Sequence, residues 1–307
     1  MHEDKRSQLT RPRVDGVCMG NPTSLTSFAP PTYKTTAGHS KHAAGQGPPS
    51  PRATDGQGAT RDIFASVYGN LAASRRSVGK NKIAIFDIDG TVFRSSLLVE
   101  FNKGLMRSGI IPESVLGQIL DAYFAWVERR GSYDDYIRSV VEMHLKAMQG
   151  KERKYVDAAV NLVLLQRRDR VYRFTRDLLK TLASEYILLA VSGSPSEMVR
   201  PFGAYFGFDY IWGTEYEVDN KGVYTGRILD RRSVDSKAEI VQSFVAEKGL
   251  SFNDSWGVGD TETDVSFLEL VDHAIAFNPT AGLYAEAKKR KWRVVVERKN
   301  VIYDIPV

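Results

Sequence analysis

Ile83-Ala84-Ile85-Phe86-Asp87-Ile88-Asp89-Gly90-Thr91 is the stretch on which the fold turns. A short run of β-branched and aromatic residues, closed by polar residues and a glycine, reads as a buried strand with a site at its C-terminal end. Two carboxylates one residue apart follow the run, and a turn at Gly90 brings Asp87 and Asp89 towards one pocket. Past this strand the period changes. Residues 97–109, 112–130, 132–149, 151–167 and 169–184 carry helical patterning, punctuated by Gly109, Pro112, Gly131 and Gly150. Strand and helix signals then alternate. Strands are expected at 186–191, 255–258, 274–277 and 292–296, helices at 196–206, 236–248, 262–270 and 280–290, and a hairpin over 210–218 and 222–228. One strand, a long helical insertion and repeated strand–helix units predict an α/β fold: a parallel sheet with an all-helical cap inserted after the first strand.

Outside this block the chain has a different character. Residues 1–60 hold seven of the twelve prolines and carry a net charge of +3 out of the total +5. Such a stretch cannot bury enough apolar surface to offset chain entropy, so a disordered tail is expected over 1–60. Its scattered charges argue against a basic arm for an acidic partner. Order is expected from Asp62, where Ile63, Phe64, Val67, Tyr68 and Leu71 recur at helical spacing. The divisions are then a tail over 1–60, a catalytic core over 61–96 and 185–307, and a cap over 97–184.

Hydrophobic residues at 42% and charged residues at 26% fit an ordinary globular protein. The lone Cys18 excludes an internal disulfide and any cysteine metal cluster. No apolar run is long enough for a membrane helix, and no secretory leader follows Met1, so a soluble cytoplasmic protein is expected. Nucleic acid and membrane are not expected partners, and the oligomeric state is not legible.

Four polar clusters fall at the expected strand ends: Asp87 with Asp89, Ser192-Gly193-Ser194, Lys237 opening a helix, and Gly259-Asp260-Thr261-Glu262-Thr263-Asp264. In an open parallel sheet these ends converge on the ligand crevice. Carboxylates gathered on one spot repel each other, and a hard divalent cation with oxygen ligands relieves that cost. Mg2+ suits such a set and leaves room for a phosphate oxygen. Lys237, the Ser192 hydroxyl and the amides at Ser192-Gly193 would hold the other phosphate oxygens. Asp87 is then placed to attack phosphorus and form an aspartyl-phosphate, with Asp89 as acid and later base. Taken singly each piece has a plainer reading: Ser192 as a helix cap, Lys237 as a surface lysine, Asp260 and Asp264 as helix N-terminal carboxylates. Their joint order at the strand ends favours the chemical reading.

In that order the four clusters resemble the motifs of the haloacid dehalogenase-like superfamily, and the inserted helices resemble the cap of its phosphoserine-phosphatase-like branch, subfamily IB. The resemblance covers about 80–300, with Phe277-Asn278-Pro279 and Lys291-Trp292-Arg293-Val294 near its end. It implies a Rossmann-like core and a Mg2+-dependent hydrolase of a small phosphorylated metabolite. It further implies Asp87 and Asp89 as catalytic residues, and Thr91, Ser192, Gly193 and Lys237 on phosphate. The implied metal ligands are the Asp87 side chain, the Asp89 main-chain carbonyl and Asp260, with Asp264 in support.

Two departures bear on substrate. Phosphoserine phosphatases of the family place a glutamate about nine residues after the nucleophile; here that position is Ser96, with Glu100 a helical turn further on. They also carry asparagine just before the last aspartate, where this chain has Thr263. Phosphoserine is therefore expected to be a poor substrate, unless a one-turn shift of the cap's first helix lets Glu100, the nearest acid, compensate. A phosphotransferase or mutase would use the same residues, and an inactive binding module would normally have lost Asp87 or Asp89. A receiver domain lacks the insertion, and a dehalogenase does without the second aspartate. His144 and His273 lack paired ligands. Tyr123, Tyr133 and Tyr136 are expected to pack the cap, and the orientation of Arg138 and Glu142 is not legible.

Overall fold

The computed structural model describes residues 79–306. The tail expected over 1–60, the helix expected over 62–71 and Cys18 lie outside the described residues. Eight strands form one sheet: β1 (Lys82–Phe86), β2 (Tyr186–Pro195), β3 (Tyr210–Val218), β4 (Tyr224–Asp230), β5 (Trp256–Gly259), β6 (His273–Phe277), β7 (Arg293–Arg298) and β8 (Val301–Ile305). Their order is β4-β3-β2-β1-β5-β6-β7-β8. The six strands from β3 to β7 in that order run parallel, and β4 and β8 close the two edges antiparallel.

β1 sits at the centre because it is apolar on both faces, as a strand covered on both sides must be. Ile83 and Ile85 join Leu189 and Val191 under α8 (Lys237–Lys248) and α10 (Ala281–Arg290). Ala84 and Phe86 face the other way, onto a core that includes Leu179 of α5 (Arg173–Leu182) and Met198 and Phe202 of α6 (Ser196–Phe206). The short α7 (Arg232–Asp235) precedes α8, and α9 (Val265–Leu268) follows a 3-10 turn over Glu262–Asp264.

Five helices lie between β1 and β2 and form the inserted cap: α1 (Leu97–Arg107), α2 (Ser114–Val127), α3 (Tyr133–Met148), α4 (Arg153–Arg167) and α5. α1 and α4 meet closely at Gly104, where a Cβ would stand 2.0 Å from Val163 Cγ2. α2 and α3 are joined by rings, with Trp126 stacked on Tyr136 at 5.7 Å and 5°. α5 also seats on the sheet. Its first N–H groups, of Arg173 and Phe174, donate to the Glu297 carboxylate of β7 at 3.1 and 2.9 Å, which satisfies the helix N-terminus. Phe174 stacks on Phe277.

Several boundaries differ from expectation for local reasons. The helix expected from 169 begins at Arg173, because Val171 bridges to Phe93 and the Tyr172 N–H donates to Val92 O. The hairpin's second arm begins at Tyr224 rather than 222. Asp219 Oδ1 accepts from Lys221 N at 2.8 Å and Val223 N at 2.9 Å, which holds those residues in the turn. The last expected strand extends to Arg298, turns through Lys299 with φ 56°, and returns as the unanticipated β8. No described helix is long and apolar enough to cross a membrane.

Candidate active site

Asp87 stands one residue past β1, and its N–H donates to Val258 O of β5 at 3.0 Å. The ladder therefore carries the residue to the carboxyl edge of the sheet. The next residues fold tightly, with Ile88 O accepting from the N–H groups of Thr91, Val92 and Phe93. Gly90 has φ 79°, and a Cβ there would stand 1.9 Å from Asp260 Oδ2. Both the backbone angle and the close approach require glycine.

Lys237, the first residue of α8, reaches the same spot. Its Nζ donates to Asp87 Oδ1 at 2.7 Å and to Asp264 Oδ1 at 2.6 Å, with all three side chains buried. Asp264 Oδ2 accepts from the main-chain N–H groups of Asp260 and Thr261 at 2.9 and 3.0 Å, so both of its oxygens are taken. Asp264 closes a capping box with Thr261, and this ties the motif into a 3-10 turn where a longer helix over 262–270 was expected.

Asp89 is held differently. Its Oδ1 accepts from the Leu97 N–H at the start of α1, and its Oδ2 accepts from Ser192 Oγ at 2.6 Å. Ser192 Oγ in turn accepts from the Ser194 N–H at 3.0 Å, and Ser194 Oγ accepts from the Leu98 N–H at 3.1 Å. Asp89 thus joins core and cap. Thr91 is buried, and its carbonyl accepts from Thr175 Oγ1 of α5 at 2.9 Å. Gly193 O accepts from Thr214 Oγ1 at 2.8 Å.

The electrostatics follow from burial. Desolvation pushes the Asp87 carboxyl up to about 7, against the pull of the Lys237 ammonium and with the push of Asp264 and Asp89. Asp260 is held well above the usual carboxylate range by desolvation and by the Asp87 and Asp264 charges. Burial raises Asp89 while the Ser192 hydroxyl opposes it. Burial works against the Lys237 ammonium, but Asp264 and Asp87 overcome it and hold the lysine above its ordinary value.

Four carboxylates around one ammonium make a site short of positive charge. Asp87, Asp260 and Asp264 each bring an oxygen within 4.8 Å of the others, and Asp87 Oδ2 is buried with no hydrogen-bond partner. An all-oxygen donor set with one orphaned oxygen fits a hard divalent cation. Both Asp264 oxygens and Asp87 Oδ1 are already bonded, so the carboxylate oxygens left for a cation are Asp87 Oδ2 and those of Asp260, with Asp264 holding Lys237 and the turn in place.

The remaining sequence candidates lie elsewhere. Glu100 is buried in α1, with its carboxylate ion-paired to Lys103 at 3.0 Å, Arg167 at 3.3 Å and Arg170 at 3.8 Å. Ser96 caps α1 by accepting from the Val99 N–H. Thr263 is exposed and bonds Thr261. His144 is buried against Phe101 and Tyr216, and burial pushes it down to about 3, so it is neutral. His273 pairs with Asp254 on the surface, and the exposed Arg138 pairs with Asp135. Glu142 is exposed. A cavity of about 720 Å³ beside Lys80, Leu179 and Tyr205 is lined by no residue of the aspartate cluster.

Tyr133 packs in the cap as expected, in ring contact with Trp126 and Tyr136. Its phenol is held above its ordinary value first by burial, then by the charges of Asp260, Asp89 and Asp87. The first residue of α3 therefore lies within the field of the aspartates. The only sequence signal was its place after Ser132, the N-cap of that helix.

Comparisons with known proteins identify the family. The family model for haloacid dehalogenase-like hydrolases matches residues 84–269. A phosphoserine phosphatase of Mycobacterium tuberculosis is 28% identical over 270 residues, 84% of this chain and 84% of that protein. A probable phosphatase of the same organism is 27% identical over 217 residues, 69% of this chain and 74% of its own length. Among solved structures, a Bordetella pertussis protein of unknown function superimposes with a TM-score of 0.57 at 24% identity, covering 70% of this chain and 98% of that one.

Proposed function

We infer, from the premise that the chain belongs to the haloacid dehalogenase-like hydrolases, that it cleaves a small phosphomonoester through an aspartyl-phosphate on Asp87. One observation carries the reading: a buried carboxylate at the end of the central strand, fixed by Lys237 through one oxygen while the other has no partner.

In the proposed first step an Asp87 oxygen bonds to phosphorus as the ester P–O bond breaks, and Asp89 gives its proton to the leaving alkoxide. In the second, water attacks the same phosphorus, Asp89 takes a proton from it, and orthophosphate leaves Asp87. Burial favours the protonated form of Asp89 that the first step needs. Lys237 keeps the carboxylate of Asp87 aimed and its charge compensated. Ser192 orients Asp89, and we assign Thr91, Ser192, Gly193 and Lys237 to the phosphate oxygens. A divalent cation such as Mg2+, held by Asp87, Asp260 and the Asp89 main-chain carbonyl, would neutralise phosphate charge and polarise phosphorus. Asp264 supports that group through Lys237. We assign the core to 61–96 and 185–307 and the cap to 97–184.

Phosphoserine is proposed to be a poor substrate. Ser96 has no carboxylate for an ammonium, and Glu100 already faces three cations of the cap. An ammonium without a partner in a closed pocket costs about 2–5 kcal/mol. The test is orthophosphate release from para-nitrophenyl phosphate and a metabolite panel. Turnover is expected with Mg2+, none with excess chelator, and a loss of about a thousandfold or more in Asp87→Asn with unchanged circular dichroism. Persistence of activity after exhaustive chelation, or more than a tenth of it in Asp87→Asn, contradicts the reading.

A further inference from the structure

The start of α1 links the aspartates to an apolar cluster of the cap. Leu97 donates its N–H to Asp89, and the next side chain, Leu98, enters an apolar cluster with Ile119, Tyr136, Val140 and Met143. Trp126 and Tyr133 pack on that cluster. Tyr133 lies 5.1 Å from Trp126 and 6.0 Å from Tyr136, ring centre to ring centre. The cluster therefore starts one residue from the Asp89 carboxylate, and Tyr133 extends it into the field of Asp87, Asp89 and Asp260. Tyr133 is half-buried, which leaves part of its surface for a ligand. The capping box at Ser132 and Asp135 fixes where α3 begins, and so fixes the Cα of Tyr133.

We propose that Tyr133 is a specificity-determining residue whose ring contacts the leaving group, and that the preferred phosphomonoesters carry an apolar, ring-bearing alcohol rather than a zwitterionic one. The inference rests on the phosphomonoesterase reading above and adds the substrate class. A ring in the leaving group meets Tyr133 edge-on or offset and buries apolar area against it. The ammonium and carboxylate of an amino acid would lose water against the same surface without gaining a partner. The one acid of α1, Glu100, is committed to Lys103, Arg167 and Arg170.

The experiment compares 2-phenylethyl phosphate with ethyl phosphate and phosphoserine, so that all leaving groups are alkoxides of similar reactivity. For the wild type, kcat/KM for the phenylethyl ester should exceed that for either of the others by about tenfold or more. In Tyr133→Ala the phenylethyl-to-ethyl ratio should fall by about tenfold, carried by KM, while Tyr133→Phe should keep it within about threefold. Tyr133→Leu, which retains apolar bulk for the cap, should give an intermediate ratio. A wild-type ratio near one, phosphoserine as the best ester, or equal losses on both alkyl esters in Tyr133→Ala and Tyr133→Leu would overturn the proposal. Para-nitrophenyl phosphate separates the two readings. If the wild type hydrolyses it and the ratio is near one, only the Tyr133 assignment fails; if it hydrolyses none of the esters, the phosphomonoesterase reading fails as well.

Discussion

The two sides of the candidate site are held by different physics. On the core side, directional bonds fix each charged group: Lys237 bridges Asp87 and Asp264, main-chain N–H groups hold Asp264, and Ser192 and Leu97 hold Asp89. On the cap side, Tyr133, Trp126 and Tyr136 rest on one another through ring contacts that tolerate a range of angles. Charges in a buried site need defined partners, whereas apolar contacts ask only for shape and area. On the proposed reading, the core serves one chemistry, and the cap a leaving group that sequence changes can alter without disturbing that chemistry.

The comparison breaks most sharply at Lys237. Removing its ammonium in Lys237→Met leaves Asp87 and Asp264 facing each other without compensation, which should cost about 3–5 kcal/mol. The loss should depend on pH with a definite sign. Asp87 already sits at about 7 with the lysine present, above its unfolded value of 3.8. A carboxyl raised in the native state binds more protons folded than unfolded, so stability falls as pH rises through that window. Without Lys237 the push on Asp87 is stronger, so the variant's deficit should be larger at pH 8 than at pH 5 in urea titrations without added metal. An equal deficit at both would mean that the buried carboxylates do not set the cost.

On the cap the same kind of change should do little. Tyr136 is buried, and burial pushes its phenol up to about 12, but its described side-chain contacts are with rings and aliphatic groups. Tyr136→Phe should change the unfolding free energy from urea titration by less than about 1 kcal/mol. A loss above about 2 kcal/mol would show a hydroxyl bond in the cluster and weaken the contrast with the core.

What the sequence revealed follows the same division. The strand, the turn at Gly90 and the order of the four clusters were readable because each depends on neighbours within a few residues. The parallel sheet and the helical insertion followed from the switch in period at 97 and again near 186. The partners of Glu100 were not readable, since Arg167 and Arg170 reach it only through the packing of α1 on α4. Tyr133 was not either: nothing local separates a tyrosine that only packs from one that also lies in the field of Asp260, Asp89 and Asp87. β8 could have been anticipated, because Val301-Ile302-Tyr303 follows Lys299-Asn300, a pair suited to a reversing turn. The start of α5 could not, because it depends on Glu297 of β7 and on Val92.

The central claim is that Asp87 carries the phosphoryl group, and trapping the acyl phosphate tests it most directly. Enzyme turning over para-nitrophenyl phosphate is quenched in acid, reduced with borohydride and digested, and the peptides holding residues 83–91 and 259–264 are sequenced by mass spectrometry. Borohydride reduces an aspartyl-phosphate to homoserine and spares a free carboxylate. The account predicts homoserine at position 87 alone, dependent on substrate and on added Mg2+. Sustained turnover with no homoserine at 87, or with homoserine at Asp89 or Asp260 instead, would contradict it.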